Sequence, residues 1–398
     1  MIKRIGKKQF VGMLVFLLIG VAIGVLATKG ESSVSAKPSD NPIYLDGVKT
    51  SITTYNIDGN NFVQLSDVVA AMDVNMEYDG NSNITYIDTN EEFSVDSEYA
   101  IRQERSSTYD IYNIVKYNAV WEKVATKEGS IFIEGVNFDS NNRLWFIDVA
   151  AHAIYYVDDK GEVITQYQNA DTKTGIMPNG ARFIDDTHLL ITDRYQGLII
   201  FDLTTNTFKT LFTGFEGQKF MGLNDLVLDG KGGCYFTDPG SASYYTTATG
   251  SVYYTNYSAE KPSLERISTG IAYPNGIALN PTGRFLYVAE FGTNQVLSIP
   301  TKEYKGPEGV RVFARLEGGI GPDGIECDSE GNVYCAHLEA GQVVVLDSKG
   351  FEICKIGLPE SAGMKSDNLA IHNGYMYVCE ADQGTIWRIA VNTSPIKH

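Results

Sequence analysis

From about residue 118 to residue 392 the chain alternates short apolar runs with polar turns at regular spacing. The runs are rich in Val, Ile, Leu, Tyr and Phe and too short for helices that bury one face, so they read as strands. One order recurs six times: a polar anchor, an apolar strand, a turn, a second strand and a third. The anchors are Glu134-Gly135, Pro178-Asn179-Gly180, Leu223-Asn224-Asp225, Pro274-Asn275-Gly276, Pro322-Asp323-Gly324 and Asp367-Asn368-Leu369, at intervals of 45, 45, 51, 48 and 45 residues. The second strands place Trp145, Leu190, Tyr235, Tyr287, Tyr334 and Tyr377 at matching positions. Six copies at this period predict a β-propeller, because a single blade cannot bury both faces and must stack between neighbours. A closed ring also needs its last edge paired. Residues 119–124 alternate like an edge strand and are predicted to complete the last blade beside Thr385–Ala390.

The N-terminal pattern differs. Lys3, Arg4, Lys7 and Lys8 precede an unbroken apolar run over residues 10–27. As a helix that run is about 27 Å long, enough to span a hydrocarbon core, with the positive cluster kept inside. It reads as a signal anchor (1–27) or as a signal peptide cleaved after small residues such as Ala27 or Ala36. Either way the rest of the chain is expected outside the cytoplasm, membrane-anchored or secreted. Residues 28–41 read as a tether. Residues 42–89 read as a small α+β domain: a strand over 62–65, Ser66 as N-cap of a helix over 67–72, and a hairpin of 75–78 with 84–87 about Asp79-Gly80-Asn81. This stretch resembles the copper-amine-oxidase N-terminal-like, or stalk, domain. It contains no His and no Cys and offers nothing for copper; the resemblance implies a spacer or a contact surface for a cell-surface partner. Residues 90–117 read as linker. The expected architecture is therefore mainly β: a six-bladed propeller (118–392) preceded by a small α+β domain and an N-terminal transmembrane or signal helix.

Charge narrows the partners. The chain has 32 Lys and Arg against 49 Asp and Glu, a net charge of −17, and so lacks a basic face for phosphate backbones; nucleic acid is excluded as the main partner. The five cysteines form no CxxC and read as buried thiols, with a cross-strand Cys327–Cys335 disulfide as the alternative. No GxSxG elbow, HExxH helix or P-loop is present. Residues 319–324 match GxGxxG by letter, but a strand follows where a dinucleotide fold needs a helix.

The anchors carry the chemistry. The innermost strand of each blade lines the central channel, so Glu134, Asn179, Asn224, Asn275, Asp323 and Asn368 are expected around one axis. All are oxygen donors, which suits a hard divalent cation. The bland alternative is that Asn, Asp and Gly merely shape turns there; Glu134 speaks against it, since Glu is not a favoured turn residue.

The motifs Glu134-Gly135, Leu223-Asn224-Asp225, Pro274-Asn275-Gly276 and Pro322-Asp323-Gly324, in this order, resemble the senescence-marker-protein (regucalcin)/gluconolactonase family of six-bladed propellers. The stretch from Gly222 to Asp238 looks most like its drug-responsive lactonase branch. The resemblance implies that Glu134, Asn275 and Asp323 hold a divalent metal, with Asn224 bound directly or through water. It implies Ca²⁺ first, with Zn²⁺, Mn²⁺ or Mg²⁺ as alternatives, and hydrolysis of lactones or related carboxylic esters. Sugar-lactone members carry an Arg two residues before the position of Asn224; here Gly222 stands there.

A bound cation would polarise the lactone carbonyl and activate water, with Asp323 as the candidate catalytic base. The turns after the second strands return the chain to the anchor side. Arg194, Asp238 and His337 on those turns, together with the anchor Asn179, are the candidate substrate-binding residues, and the loop over 238–250 a candidate lid. Two other readings share these residues: a non-catalytic cell-surface binding propeller with a structural cation, and a phosphotriester hydrolase.

Overall fold

The computed structural model describes short strand segments between Lys37 and Asp88, and residues 111–396 except 117–118, 131, 171–174, 241–242 and 244–247. The chain divides into two compact units, Met1–Asp96 and Ser97–His398.

In the first unit, Thr54–Ile57 pairs antiparallel with Lys37–Ser39 on one side and Asn60–Val63 on the other. Asn75–Asp79 pairs with Ile84–Asp88, the hairpin expected from its Asp-Gly-Asn turn. The strand expected over 62–65 forms slightly earlier, at Asn60–Val63. The expected helix over 67–72 and the apolar run over 10–27 lie outside the described residues. Among the described residues no helix is long and apolar enough to cross a membrane.

The described residues of the second unit form six four-stranded antiparallel sheets. The first five blades begin at Ile133–Phe138, Pro178–Phe183, Leu226–Leu228, Pro274–Leu279 and Gly321–Cys327, and each uses four strands in chain order. The sixth is composite. Ser366–His372, Tyr375–Glu380 and Thr385–Ala390 are joined by Glu122–Thr126, which enters from the N-terminal side and pairs Thr126 with Thr385 and Glu122 with Arg388. The predicted closure is thus present, displaced a few residues along the chain. It leaves no blade edge open between the two ends of the ring. Trp121, buried just before the closing strand, donates from Nε1 to the Gly357 carbonyl of the fifth blade at 2.9 Å.

The core explains why the strands read as near-continuous apolar runs. Among the described residues there are six hydrophobic clusters, each lying between successive blades. In Leu189-Leu190-Ile191, the first and third side chains pack toward blade 1 while Leu190 packs toward blade 3. Period-two alternation therefore buries both faces of an inner blade rather than one.

Two expectations are corrected here. Residues 111–115 are not linker: Ile111–Ile114 form one helical turn, and Ile111, Ile114 and Val115 are buried in the cluster between blades 5 and 6. Their three apolar side chains outweigh the polar surroundings that suggested a spacer. The Cys327–Cys335 disulfide does not form: Cys327 faces Val333 and Cys335 faces Ile325, and both thiols are free and buried.

Candidate functional site at the propeller axis

Five of the six anchors sit where the inner strand loses regular register, and the sixth, Asn224, lies just before its inner strand Leu226–Leu228. The pairing slips between Pro178 and Ala181, Pro274 and Ile277, Pro322 and Ile325, Ser366 and Asn368, and opposite Trp145–Ile147 in the first blade. A bulge of this kind re-aims a side chain that a regular strand would stack against its neighbours. Glu134, Asn179, Asn224, Asn275, Asp323 and Asn368 are all buried. The glycines after the anchors allow the blades to close up. At Gly135, with φ of +57°, an added Cβ would lie 2.7 Å from the Asn179 carbonyl oxygen of the next blade. At Gly324 it would lie 2.8 Å from Asn368 Cα. Threonines on the second strands fix the neighbouring anchor's backbone: Thr192 donates to the Asn224 carbonyl at 2.5 Å and Thr237 to the Asn275 carbonyl at 2.8 Å.

The register corrects the sixth anchor. Ser366 pairs with Glu380 as Pro322 pairs with His337 and Pro178 with Asp193. Asp367 therefore occupies the position of Asp323 and Asn179, and Asn368 that of the following glycine. Asn368 uses its amide to donate from Nδ2 to Glu134 Oε2 at 2.7 Å. The anchor ring then holds three carboxylates (Glu134, Asp323, Asp367) and three carboxamides (Asn179, Asn224, Asn275). Asp225, buried beside Asn224, adds another carboxylate, held by the Leu226 N–H at 2.8 Å. Aligning on the Asn-bearing motif hid Asp367 and Asp225; counting back from Glu380 finds Asp367.

The ring is short of partners. Glu134 Oε1, Asp323 Oδ1, both side-chain atoms of Asn179 and both carboxylate oxygens of Asp367 are buried without a hydrogen bond from the protein. Burial raises the pKa of Glu134 well above the usual carboxylate range, and the charges of Asp323 and Asp225 push it further. The Asn368 hydrogen bond and the Arg194 charge act against this. Burial likewise raises Asp323, opposed by a hydrogen bond from Asn275 and by Arg194. Burial raises Asp367 too, reinforced by Glu134, Asp323 and Glu380. Orphaned, converging oxygens that repel one another are what a hard cation relieves. The donor set therefore fits a divalent ion. Among the described residues no group of three His, Cys, Asp or Glu side chains forms a metal cluster by itself, so the carboxamides would have to contribute.

The last residues of the second strands reach the same side as the anchors: Asp148 pairs with Ile133, Asp193 with Pro178, Glu290 with Pro274, and Glu380 with Ser366. Most are occupied in holding turns. Asp193 accepts the Tyr195 and Gln196 N–H groups, and Glu380 those of Asp382 and Gln383. Asp238, a candidate substrate ligand, accepts the Met221 and Gly240 N–H groups. His337, another candidate, is fully buried, with Nε2 on Asn294 Oδ1 at 3.1 Å and Nδ1 facing Gln342 Nε2 at 3.5 Å. Both ring nitrogens are spent inside the protein, so the assignment of His337 to substrate is corrected. Its packing between strands outweighs its position at the rim. Arg194 is half-buried at the mouth, and Asn179 lies in the channel with its amide unspent. Residues 241–242 and 244–247 of the proposed lid loop lie outside the described residues.

Comparison with known proteins agrees with the propeller fold. The profile of the SMP-30/Gluconolactonase/LRE-like region matches residues 132–366, more than half of the chain and wholly within the propeller. The chain is 30% identical to the lactonase drp35 of Staphylococcus epidermidis over 252 residues, covering 60% of this chain and 73% of that protein. Its fold is similar to a gluconolactonase from Xanthomonas campestris (TM-score 0.60, 18% identity, 72% of this chain and 93% of that one). It is also similar to a calcium-binding protein, regucalcin, from Agrobacterium tumefaciens (TM-score 0.57, 19% identity, 69% and 97%).

Proposed function

The chain belongs to the SMP-30/gluconolactonase/LRE-like family, and from that premise we propose that it is a divalent-cation-dependent hydrolase of lactones or related carboxylic esters. The observation that carries the proposal is the set of buried, unpartnered oxygens on Glu134, Asn179 and Asp323 at the channel axis. Glu134, Asn224, Asn275 and Asp323 would hold the ion, with Ca²⁺ the first candidate for an all-oxygen donor set. When bound there it would supply Lewis-acid polarisation of the scissile carbonyl and a more acidic water.

The chain's own residues then do the rest. Asn275 holds one oxygen of Asp323, leaving Oδ1 unpartnered. That oxygen takes the proton from the attacking water as the water oxygen bonds to the carbonyl carbon. The ring C–O bond breaks, and the proton passes to the departing alkoxide, so the carboxylate is regenerated and one water is consumed per lactone. Asn179 offers the substrate an amide that no protein group uses.

The test is metal analysis of the purified protein together with a panel of lactones and aryl esters, before and after chelation. Hydrolysis lost on chelation, restored by a divalent ion and abolished in Asp323→Ala supports the reading; turnover indifferent to both overturns it. We also propose that residues 10–27 export the propeller, anchoring it at the outer face of the membrane if uncleaved. Protease accessibility in intact cells checks this, and a protected propeller refutes it.

A further inference from the structure

The turn after the second strand of blade 2 brings Arg194 to the channel mouth, and its backbone N–H donates to the Met177 carbonyl at 2.9 Å. Opposite stands Gly222, with φ of +132°, a backbone conformation L side chains rarely adopt. A Cβ at Gly222 would lie 3.8 Å from Arg194 Nε and 3.9 Å from its Cβ and Nη2. The side chain of Arg194 thus lies along the surface that Gly222 leaves bare. Among the described residues the guanidinium has no ion-pair partner within 4.0 Å and donates no hydrogen bond. Its charge nonetheless reaches Glu134, Asp323 and Asp238. Asp193, beside it in the chain, turns Oδ1 to the backbone N–H groups of its own turn, and Asp238 accepts from Met221 and Gly240. Two exposed large apolar side chains adjoin the pair in sequence, Tyr195 (42% exposed) next to Arg194 and Met221 (57%) next to Gly222.

A half-buried guanidinium holds five N–H donors in a rigid fork that matches a carboxylate. Left without a partner it bears a desolvation cost that a complementary ligand removes. We propose that Arg194 is the specificity-determining residue of the site, selecting lactones or esters that carry a carboxylate, with the apolar part of the substrate against Tyr195 and Met221. This rests on the hydrolase reading and names its substrate class.

The experiment compares a γ-lactone bearing a carboxylate with its neutral carboxamide analogue, in wild type, Arg194→Gln and Arg194→Lys. The readout is the ratio of kcat/KM for the two substrates. Wild type is expected to favour the carboxylate. In Arg194→Gln that preference falls by about tenfold to a hundredfold, mainly through KM, as expected for loss of a charge-assisted bond; Arg194→Lys lies between. A wild type without preference, or a ratio unchanged in Arg194→Gln, overturns the proposal. Calorimetry with the ring-opened products separates this from failure of the hydrolase reading. If no lactone is turned over but wild type binds the dicarboxylate more tightly than the monocarboxylate and Arg194→Gln loses that gap, the role of Arg194 stands and the hydrolase reading falls. No gap in wild type sinks the role of Arg194 whatever the turnover.

Discussion

Glu134→Gln is the substitution whose effects on stability and on function should have opposite signs. It keeps the shape of the side chain and retains an acceptor for Asn368 Nδ2, which donates to Glu134 at 2.7 Å. It removes a buried carboxylate that Asp323 and Asp225 repel. Without cation the variant is therefore expected to be at least as stable as wild type at pH 8, since an amide carries no desolvated charge. With cation the order reverses. A ligand at a hundred times its Kd stabilises the native state by about 2.7 kcal/mol. For the propeller's roughly 275 residues that corresponds to a rise in Tm of about 5 °C. Wild type should show this rise with Ca²⁺ after chelation, and Glu134→Gln little of it. Loss of one donor to the ion should lower kcat/KM by on the order of a hundredfold or more. Calorimetric scans with chelator and with excess Ca²⁺, alongside lactone assays, measure both halves. A variant that keeps the full calcium shift, or one several degrees less stable than wild type under chelation, would falsify the reading of Glu134 as a cation ligand.

Further expectations concern the frame around the site. Asp193 is buried with Oδ2 unpartnered, and burial raises its pKa to about 6. The folded-state value lies above the unfolded one, so its contribution is fully present below about pH 4 and is lost as pH rises through about 6; the loss is roughly 3 kcal/mol. Asp193→Asn should flatten urea-midpoint curves between pH 4 and 7, and an unchanged slope contradicts the burial argument. Gly135→Ala places a Cβ 2.7 Å from the Asn179 carbonyl at a φ of +57°. It should cost about 2 kcal/mol in denaturant unfolding and weaken cation binding, although position 135 itself offers no ligand; unchanged calcium affinity counts against the close approach of the anchors. Trp121→Ala removes a buried indole and its bond to Gly357 at the ring closure. A loss of about 3–5 kcal/mol is expected, and a loss below about 1 kcal/mol means that the closing strand is not anchored there.

Much of this was legible before any coordinates. Six anchors and matching second-strand aromatics predicted six blades, and the apolar alternation of residues 119–124 predicted the closure later found at Glu122–Thr126. Glu134 and Asp323 could be singled out because a propeller's first strands face its axis. Asp367 is masked by its neighbour: Asn368 matches the Asn of the Pro-Asn-Gly motifs by letter, and only the pairing of Ser366 with Glu380 puts Asp367 at the anchor position. The fate of His337 was not legible either. A histidine at a rim position looks available until its neighbours Asn294 and Gln342, which lie elsewhere along the chain or on the next strand, take both nitrogens.

The sequence by itself determined the repeat, the strands and the oxygen-only chemistry of the anchors, since these depend on local patterning and on the identity of side chains. Which oxygens are left without partners, which carboxylates repel one another and which rim residues are already spent was decided only by the closed ring. Those properties belong to distances between blades some 45 residues or more apart, and local pattern does not encode such distances.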